Sequence, residues 1–293
     1  MRHPVLMALV VTAAARVVAV AQFVPDTAFR PPIEKPAFLP QKGPVVLVDE
    51  AHFNYHTSAG RYLPFAELLR RDGYIVKAST GLFTAETLRG GTILVIANAL
   101  NEKAQRGGNP PNLPAFTPLE IEAVRDWVSG GGALLLIADH RPFAGAAETL
   151  GRAFGIRFLD GVVTRRGGDG DIVFRKSEGT LIDDPITHGI DDVATFTGSS
   201  FELDTIGRPL LVLGPEMYSS PQQDSPNAVL VSRHLQGAVL TFGKGRVAVF
   251  GEAAMFSAQL AGPDREPMGM NAPVAKHNPQ FLLNVMHWLA GVL

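Results

Sequence analysis

Cysteine is absent from all 293 residues. That excludes disulfides, thiolate nucleophiles and every cysteine-ligated metal or iron–sulfur centre. A basic excess is also lacking: 26 Lys and Arg stand against 28 Asp and Glu, and the net charge of -2 argues against nucleic acid as a partner. Charged residues make up only 18% of the chain and apolar ones 46%, which supports a sizeable core and excludes a disordered chain. The string Gly-x-Ser-x-Gly does not occur, so there is no ordinary serine elbow of the α/β-hydrolase kind. Phosphate-binding loops follow a strand and open a helix. Here Gly130-Gly131-Gly132 ends a helix and precedes a strand, Gly243 and Gly245 sit in a hairpin turn, and Arg165 to Gly170 reads as a loop.

What is present begins with a segment unlike the rest. Arg2 and His3 precede an apolar run, Val5 to Ala15 and then Val17 to Ala21, interrupted by Arg16. The run is too short to span a bilayer core of about 30 Å, and Ala19-Val20-Ala21 fits the small-x-small pattern cut by signal peptidase. Residues 1–21 therefore predict a cleaved signal peptide, a periplasmic or secreted protein, and no membrane span afterwards. Removing Arg2 and Arg16 leaves 24 basic against 28 acidic residues, a mature charge of -4. Residues 22–43 carry Pro25, Pro31, Pro32, Pro36 and Pro40, which predicts an extended lead with no regular helix or central strand.

From residue 44 to 291 apolar strand-like runs alternate with helical periodicity. Val45 to Val48, Tyr74 to Val76, Ile93 to Ala97 and Leu134 to Ala138 read as strands, most of them apolar throughout, the pattern of strands covered on both faces. Helices are predicted from about Tyr62 to Arg71, from Thr117-Pro118-Leu119-Glu120 (a capping box with Pro at N1) through Val128, from Ala144 to Phe154, and from Pro279 to Leu289. Repeated βαβ units imply an α/β fold with a doubly wound, mostly parallel sheet of flavodoxin-like type. Residues 160–250 are β-rich, with short stretches at Asp171–Phe174, Thr195–Phe201, Leu210–Leu213 and Ala228–Val231, and predict an antiparallel extension within the same domain. Ala238–Phe242 and Val247–Phe250 form a hairpin around Gly243 to Arg246.

In an open α/β sheet ligands sit outside the carboxyl ends of the strands, so the residues that follow each run are the candidates. Asp49, Glu50, His52 and His56 follow the first strand, Asn98 the third, and Asp139 and His140 the fourth. Glu252 follows the late hairpin, while Asn271 and His277 precede the last helix. Carboxylates and imidazoles gathered at one edge point to acid–base chemistry. Asp139, His140 and Glu252 are the catalytic candidates; Glu50, Asn98, Asn271 and His277 are the substrate-binding ones. His52 and His56, four residues apart and on one face if helical, are candidates for one divalent metal. Asp49 and Asp139 also suit helix caps, and adjacent strand residues such as Asp139 and His140 would face opposite ways. His188, His234 and His287 lie off this edge.

The strand layout, Gly130-Gly131-Gly132-Ala133-Leu134-Leu135-Leu136-Ile137 and Phe242-Gly243-Lys244-Gly245-Arg246-Val247 resemble the class I glutamine amidotransferase-like superfamily, near its ThuA-like and gliding- or ABC-transport-associated branches. The resemblance covers most of residues 44–291 and implies a fold. Catalytic members place a cysteine on the turn that matches Asp139-His140-Arg141, and this chain has none, so amidotransferase chemistry is excluded. The expectation is an exported hydrolase-like enzyme acting on a small polar or carbohydrate-type ligand. In that reading Asp139 or Glu252 is the base, and His140 the acid or an electrophilic stabiliser. A non-catalytic module that binds a ligand or a protein in the same pocket is the competing reading.

Overall fold

The structure is a computed structural model that describes residues 23–103, 112–166, 170–221 and 225–293. The expected signal segment lies outside the described residues, as does the Gly167-Gly168-Asp169 part of the loop. A nine-stranded mixed sheet organises the chain. Its strands are β1 (Val45–Asp49), β2 (Ile75–Ser79), β3 (Ile93–Ala97), β4 (Ala133–Ile137), β5 (Ile156–Leu159), β6 (Ser200–Leu203), β7 (Arg208–Val212), β8 (Leu235–Phe242) and β9 (Gly245–Phe250). The order is β2-β1-β3-β4-β9-β8-β6-β5, with β7 also paired to β8. Pairs from β2 through β4 to β9 are parallel, and those from β9 onward are antiparallel.

The apolar runs explain the centre of this sheet. Every residue of β3 and β4 is buried because helices cover both faces. Helices α1 (Leu63–Arg71) and α5 (Asn278–Ala290) pack Phe65, Leu68, Phe281 and Leu282 against Val46, Val48, Val95 and Leu135. On the opposite face, α3 (Pro118–Ser129) and α4 (Phe143–Ala153), which follow the short α2 (Ala85–Leu88), pack Val124, Val128, Ala147 and Leu150 against Leu47, Leu94, Leu134 and Val247. Burying one such aliphatic side chain stabilises by about 1.5–3 kcal/mol. The expected capping box is formed: Thr117 Oγ1 accepts from the Glu120 backbone N–H, and the Glu120 carboxylate accepts from that of Thr117.

Residues 160–250 are β-rich as expected, but they divide between the main sheet and smaller ones. Val162–Arg165, Met217–Ser220 and Val229–Leu230 form a three-stranded sheet, and Ile172–Arg175 pairs with Asp192–Thr195. The expected strand from Thr195 to Phe201 is two strands. Gly198, at φ 113, breaks it, and a Cβ there would stand 2.5 Å from the Gly251 carbonyl oxygen. The second strand starts at Ile75 rather than Tyr74, whose ring packs edge-on to Phe38 with centroids 5.0 Å apart. The proline-rich lead adds one short pairing, Val24–Pro25 against Ala258–Ala261, whose other neighbour is Glu266–Gly269. Among the described residues no helix is long and apolar enough to cross a membrane.

Candidate functional site

Because β1, β3, β4 and β9 run parallel, their carboxyl ends share one edge, and the segments that leave them surround a cavity of about 90 Å³. That volume has room for a few waters or one small polar group. Asn98, Asp139, His140 and Glu252 line it, together with His56, Arg61 and the rings of Phe23, Tyr55 and Phe143. Asp139 and His140 both reach it, although alternation along a strand would have separated them. The pleat stops at Ile137, and the two residues sit in the turn beyond it.

Backbone donors hold the acids. Glu252 is fully buried; its Oε1 accepts from the Ala254 N–H at 2.8 Å and its Oε2 from that of Met255 at 2.7 Å. Burial raises its carboxyl well above the ordinary range, and the Asp139 charge adds to the rise. Asp139 accepts from the His140 N–H at 2.6 Å and the Ala253 N–H at 3.4 Å. It does not cap α4, whose N-cap is Pro142. Gly198 and Gly251 let two backbones close behind Glu252, where the Ser199 N–H donates to the Gly251 carbonyl at 2.7 Å.

The amide of Asn98, a residue held at φ 52, orders the His56 imidazole. Its Oδ1 accepts from the Asp139 N–H at 2.9 Å, so its Nδ2 is the group that donates to His56 Nδ1 at 3.3 Å. The proton of neutral His56 is then on Nε2, a buried atom without a hydrogen-bond partner among the described residues. Burial pushes the His56 pKa down to about 4, and the Asp139 charge pulls it back only in part. His140 is arranged the other way: Nδ1–H donates to the Arg141 carbonyl at 2.8 Å, leaving the lone pair on Nε2.

Other candidates stand elsewhere. His52 Nδ1 meets Asp49 Oδ1 at 2.9 Å and its Nε2 meets Glu120 Oε1 at 2.8 Å, with the Phe83 and Phe116 rings against the imidazole. Asp49 therefore holds His52 and the turn at Ala51 rather than capping a helix. Residues 50–62 contain no helix, so the one-face geometry expected for His52 and His56 is not formed. With both ring nitrogens of His52 taken by carboxylates, the pair does not fit a shared ion. Among the described residues no group of three or more His, Asp or Glu is placed to hold a metal. Glu50 accepts from the Ser58 N–H and hydroxyl, Asn271 donates to Asp26 and to the Gln259 carbonyl, and His277 pairs with Asp192. These three brace loops and do not line the cavity. Arg61 and Thr197 line it without having been marked by the sequence reading.

Solved structures share this fold. No protein-family model matches the chain, and no curated protein matches it. The mmIFT52 N-terminal domain is 15% identical with a TM-score of 0.61, over 84% of this chain and 97% of that one. Cytoplasmic Protein STM1381 from Salmonella typhimurium LT2 is 15% identical with a TM-score of 0.52, over 84% of this chain and 98% of that one. A putative ThuA-like protein from Bacteroides uniformis ATCC 8492 is 12% identical, over 85% of this chain and 92% of that one, at a TM-score of 0.48. At these identities likeness concerns the fold alone.

The His56 arrangement sets a pH dependence. Its native pKa lies below the unfolded value of 6.5, so below pH 6.5 the unfolded chain takes up a proton that the folded chain refuses until about pH 4. Stability from this group is intact above 6.5 and falls on acidification, by about 2–3 kcal/mol at pH 4.5. Glu252 tilts the opposite way, since a raised carboxyl gains stability as pH falls, so the difference between wild type and His56→Gln isolates the imidazole. Urea titrations at pH 7 and pH 4.5 are expected to show a smaller acid loss in the variant by that amount. Equal losses would mean that His56 is protonated inside the fold.

Proposed function

We propose that the chain is an exported hydrolase-like enzyme acting on a small polar or carbohydrate-type ligand in the strand-end cavity. The observation that carries this reading is the convergence of Asp139, Glu252 and His140 on one cavity, where burial and the Asp139 charge raise the Glu252 carboxyl. A carboxyl group held protonated beside a second carboxyl group is suited to donate a proton; an imidazole with its lone pair on Nε2 is suited to accept one. In the proposed step His140 Nε2 takes a proton from water, the water oxygen attacks the substrate's electrophilic centre, and Glu252 protonates the departing group. The roles of His140 and Glu252 are thus the reverse of those expected from residue type alone, and no step passes through a metal.

Export rests on the pattern of residues 1–21. The flavodoxin-like, doubly wound assignment, and with it the amidotransferase-like superfamily and its ThuA-like branch, is supported by the parallel order β2-β1-β3-β4-β9 with helices on both faces. The competing binding-module reading is favoured by one observation: both Glu252 oxygens already accept backbone N–H groups, as a purely structural cap would. A panel of small esters, glycosides and amides, assayed with wild type and Glu252→Gln, separates the two. Turnover that falls about 100-fold or more in the variant, assayed well below a melting temperature lowered by the amide that replaces one backbone acceptor, is the expected result. No turnover across the panel would favour the binding module.

A further inference from the structure

We infer that the cavity takes its ligand by a carboxylate group, received by Arg61 and His56. The inference deepens the proposed function and rests on it only for the identity of the site. Arg61 lies two residues before α1, and its Nη1 is buried with no hydrogen-bond partner among the described residues. Its guanidinium carbon is 3.3 Å from the centroid of the Tyr55 ring and 5.6 Å from that of Phe23. Aromatic faces hold a planar cation in place but leave its in-plane N–H donors unsatisfied. No ion pair reaches Arg61 among the described residues. Burial pushes its pKa down to about 10, which leaves it a cation at neutral pH.

The second observation is independent of the first. His56 is 3% exposed, lines the same cavity, and presents the unpartnered Nε2 already described. One cationic and one neutral N–H donor therefore line the cavity unpaired, together with acids whose oxygens accept backbone N–H groups. Two donors suit the two oxygens of a planar carboxylate. A dianion suits the wall less well. The lining holds two acidic side chains, Asp139 and Glu252, against the one guanidinium of Arg61, and a phosphate would add repulsion that no further lining cation compensates. The cavity's size admits the head group while the rest of the ligand lies toward its mouth.

The test measures binding by ligand-observed NMR with glycolate and lactate, their uncharged counterparts methyl glycolate and 1,2-propanediol, and inorganic phosphate. Wild type is expected to bind the carboxylates and neither uncharged counterpart, with phosphate weaker than either acid. Arg61→Gln should weaken carboxylate binding by about tenfold or more, and Arg61→Lys by less, since a point charge replaces a planar donor. Equal binding of acids and uncharged counterparts, tighter binding of phosphate, no carboxylate binding at millimolar concentration, or an unchanged Arg61→Gln would each overturn the inference. If Arg61→Gln unfolds, the wild-type comparison decides alone. Carboxylate binding without turnover of any substrate would uphold this inference and sink the hydrolase reading. Turnover of uncharged esters by wild type, with no binding of glycolate or lactate, would do the reverse.

Discussion

His52→Ala is expected to destabilise the fold by about 3–5 kcal/mol, lowering the melting temperature by roughly 10 °C. The imidazole lies between two buried carboxylates, with Nδ1 2.9 Å from Asp49 Oδ1 and Nε2 2.8 Å from Glu120 Oε1. Both acceptors require a hydrogen on the facing nitrogen, so the ring is an imidazolium. Burial pushes its pKa down, but the hydrogen bonds and charges of Asp49 and Glu120 outweigh burial and raise it above the usual 6.5. Burial likewise pushes the Glu120 carboxyl up, while the His52 and Thr117 hydrogen bonds bring it below its ordinary value of 4.5. Deleting the ring leaves two carboxylates facing one another out of water, which costs more than the hydrogen bonds themselves.

The sign of the pH dependence follows from those directions. A raised histidine contributes fully below pH 6.5 and loses its contribution as pH rises through the native value. A lowered glutamate contributes fully above pH 4.5 and loses its contribution as pH falls through its native value. The triad is therefore strongest between the two, and wild type should exceed His52→Ala by the widest margin near pH 5–6. Adding Glu120→Gln to His52→Ala removes one of the facing charges, and the double variant should lose less than the sum of the singles. Urea denaturation followed by circular dichroism measures all three. A His52→Ala within about 1 kcal/mol of wild type would show that the two acids relax into water and that the triad is not a structural bolt.

This triad marks the limit of what could be read beforehand. The Thr117–Glu120 capping box is a four-residue pattern and was legible; that the remaining oxygen of Glu120 takes His52 was not, because the partners are 68 residues apart. Strands β1, β3 and β4 were legible because burial on both faces leaves apolar runs, Val45 to Val48, Ile93 to Ala97 and Ala133 to Ile137. The spacing of His52 and His56 pointed to a helix that the loop does not form, with Phe53 at φ 46 between them. The strand-end rule placed Asn98, Asp139, His140 and Glu252 at the cavity edge because parallel strands force it. It carried Glu50, Asn271 and His277 along, and those residues spend their polar atoms on nearby loops. Arg61 was missed because a lone arginine ahead of a helix looks like an ordinary solvated charge. Only the fold brings Phe23 and Tyr55 to its guanidinium.

His140→Ala is expected to lower turnover by a factor of 10²–10⁴, the range for loss of a positioned acid or base, while changing stability by about 1 kcal/mol or less. The small stability effect follows from where the side chain sits. It is half-buried, and among the described residues its side chain hydrogen-bonds the adjacent Arg141 carbonyl alone. The backbone N–H that donates to Asp139 is retained in alanine. The large kinetic effect follows from the tautomer, because the Nδ1–H donation leaves Nε2 as the lone-pair site on a cavity wall shared with Asp139 and Glu252. A structural role and a base role separate by chemical rescue. The alanine variant leaves a gap of imidazole size open to the cavity, so added imidazole should restore part of the turnover, with the gain saturating as the gap fills. His140→Gln, which fills the gap but has no basic nitrogen, should be as slow as alanine and show no rescue. Full activity in both variants would remove His140 from the reaction. Loss of activity in His140→Ala accompanied by a melting temperature lower by roughly 10 °C would assign it to the fold instead.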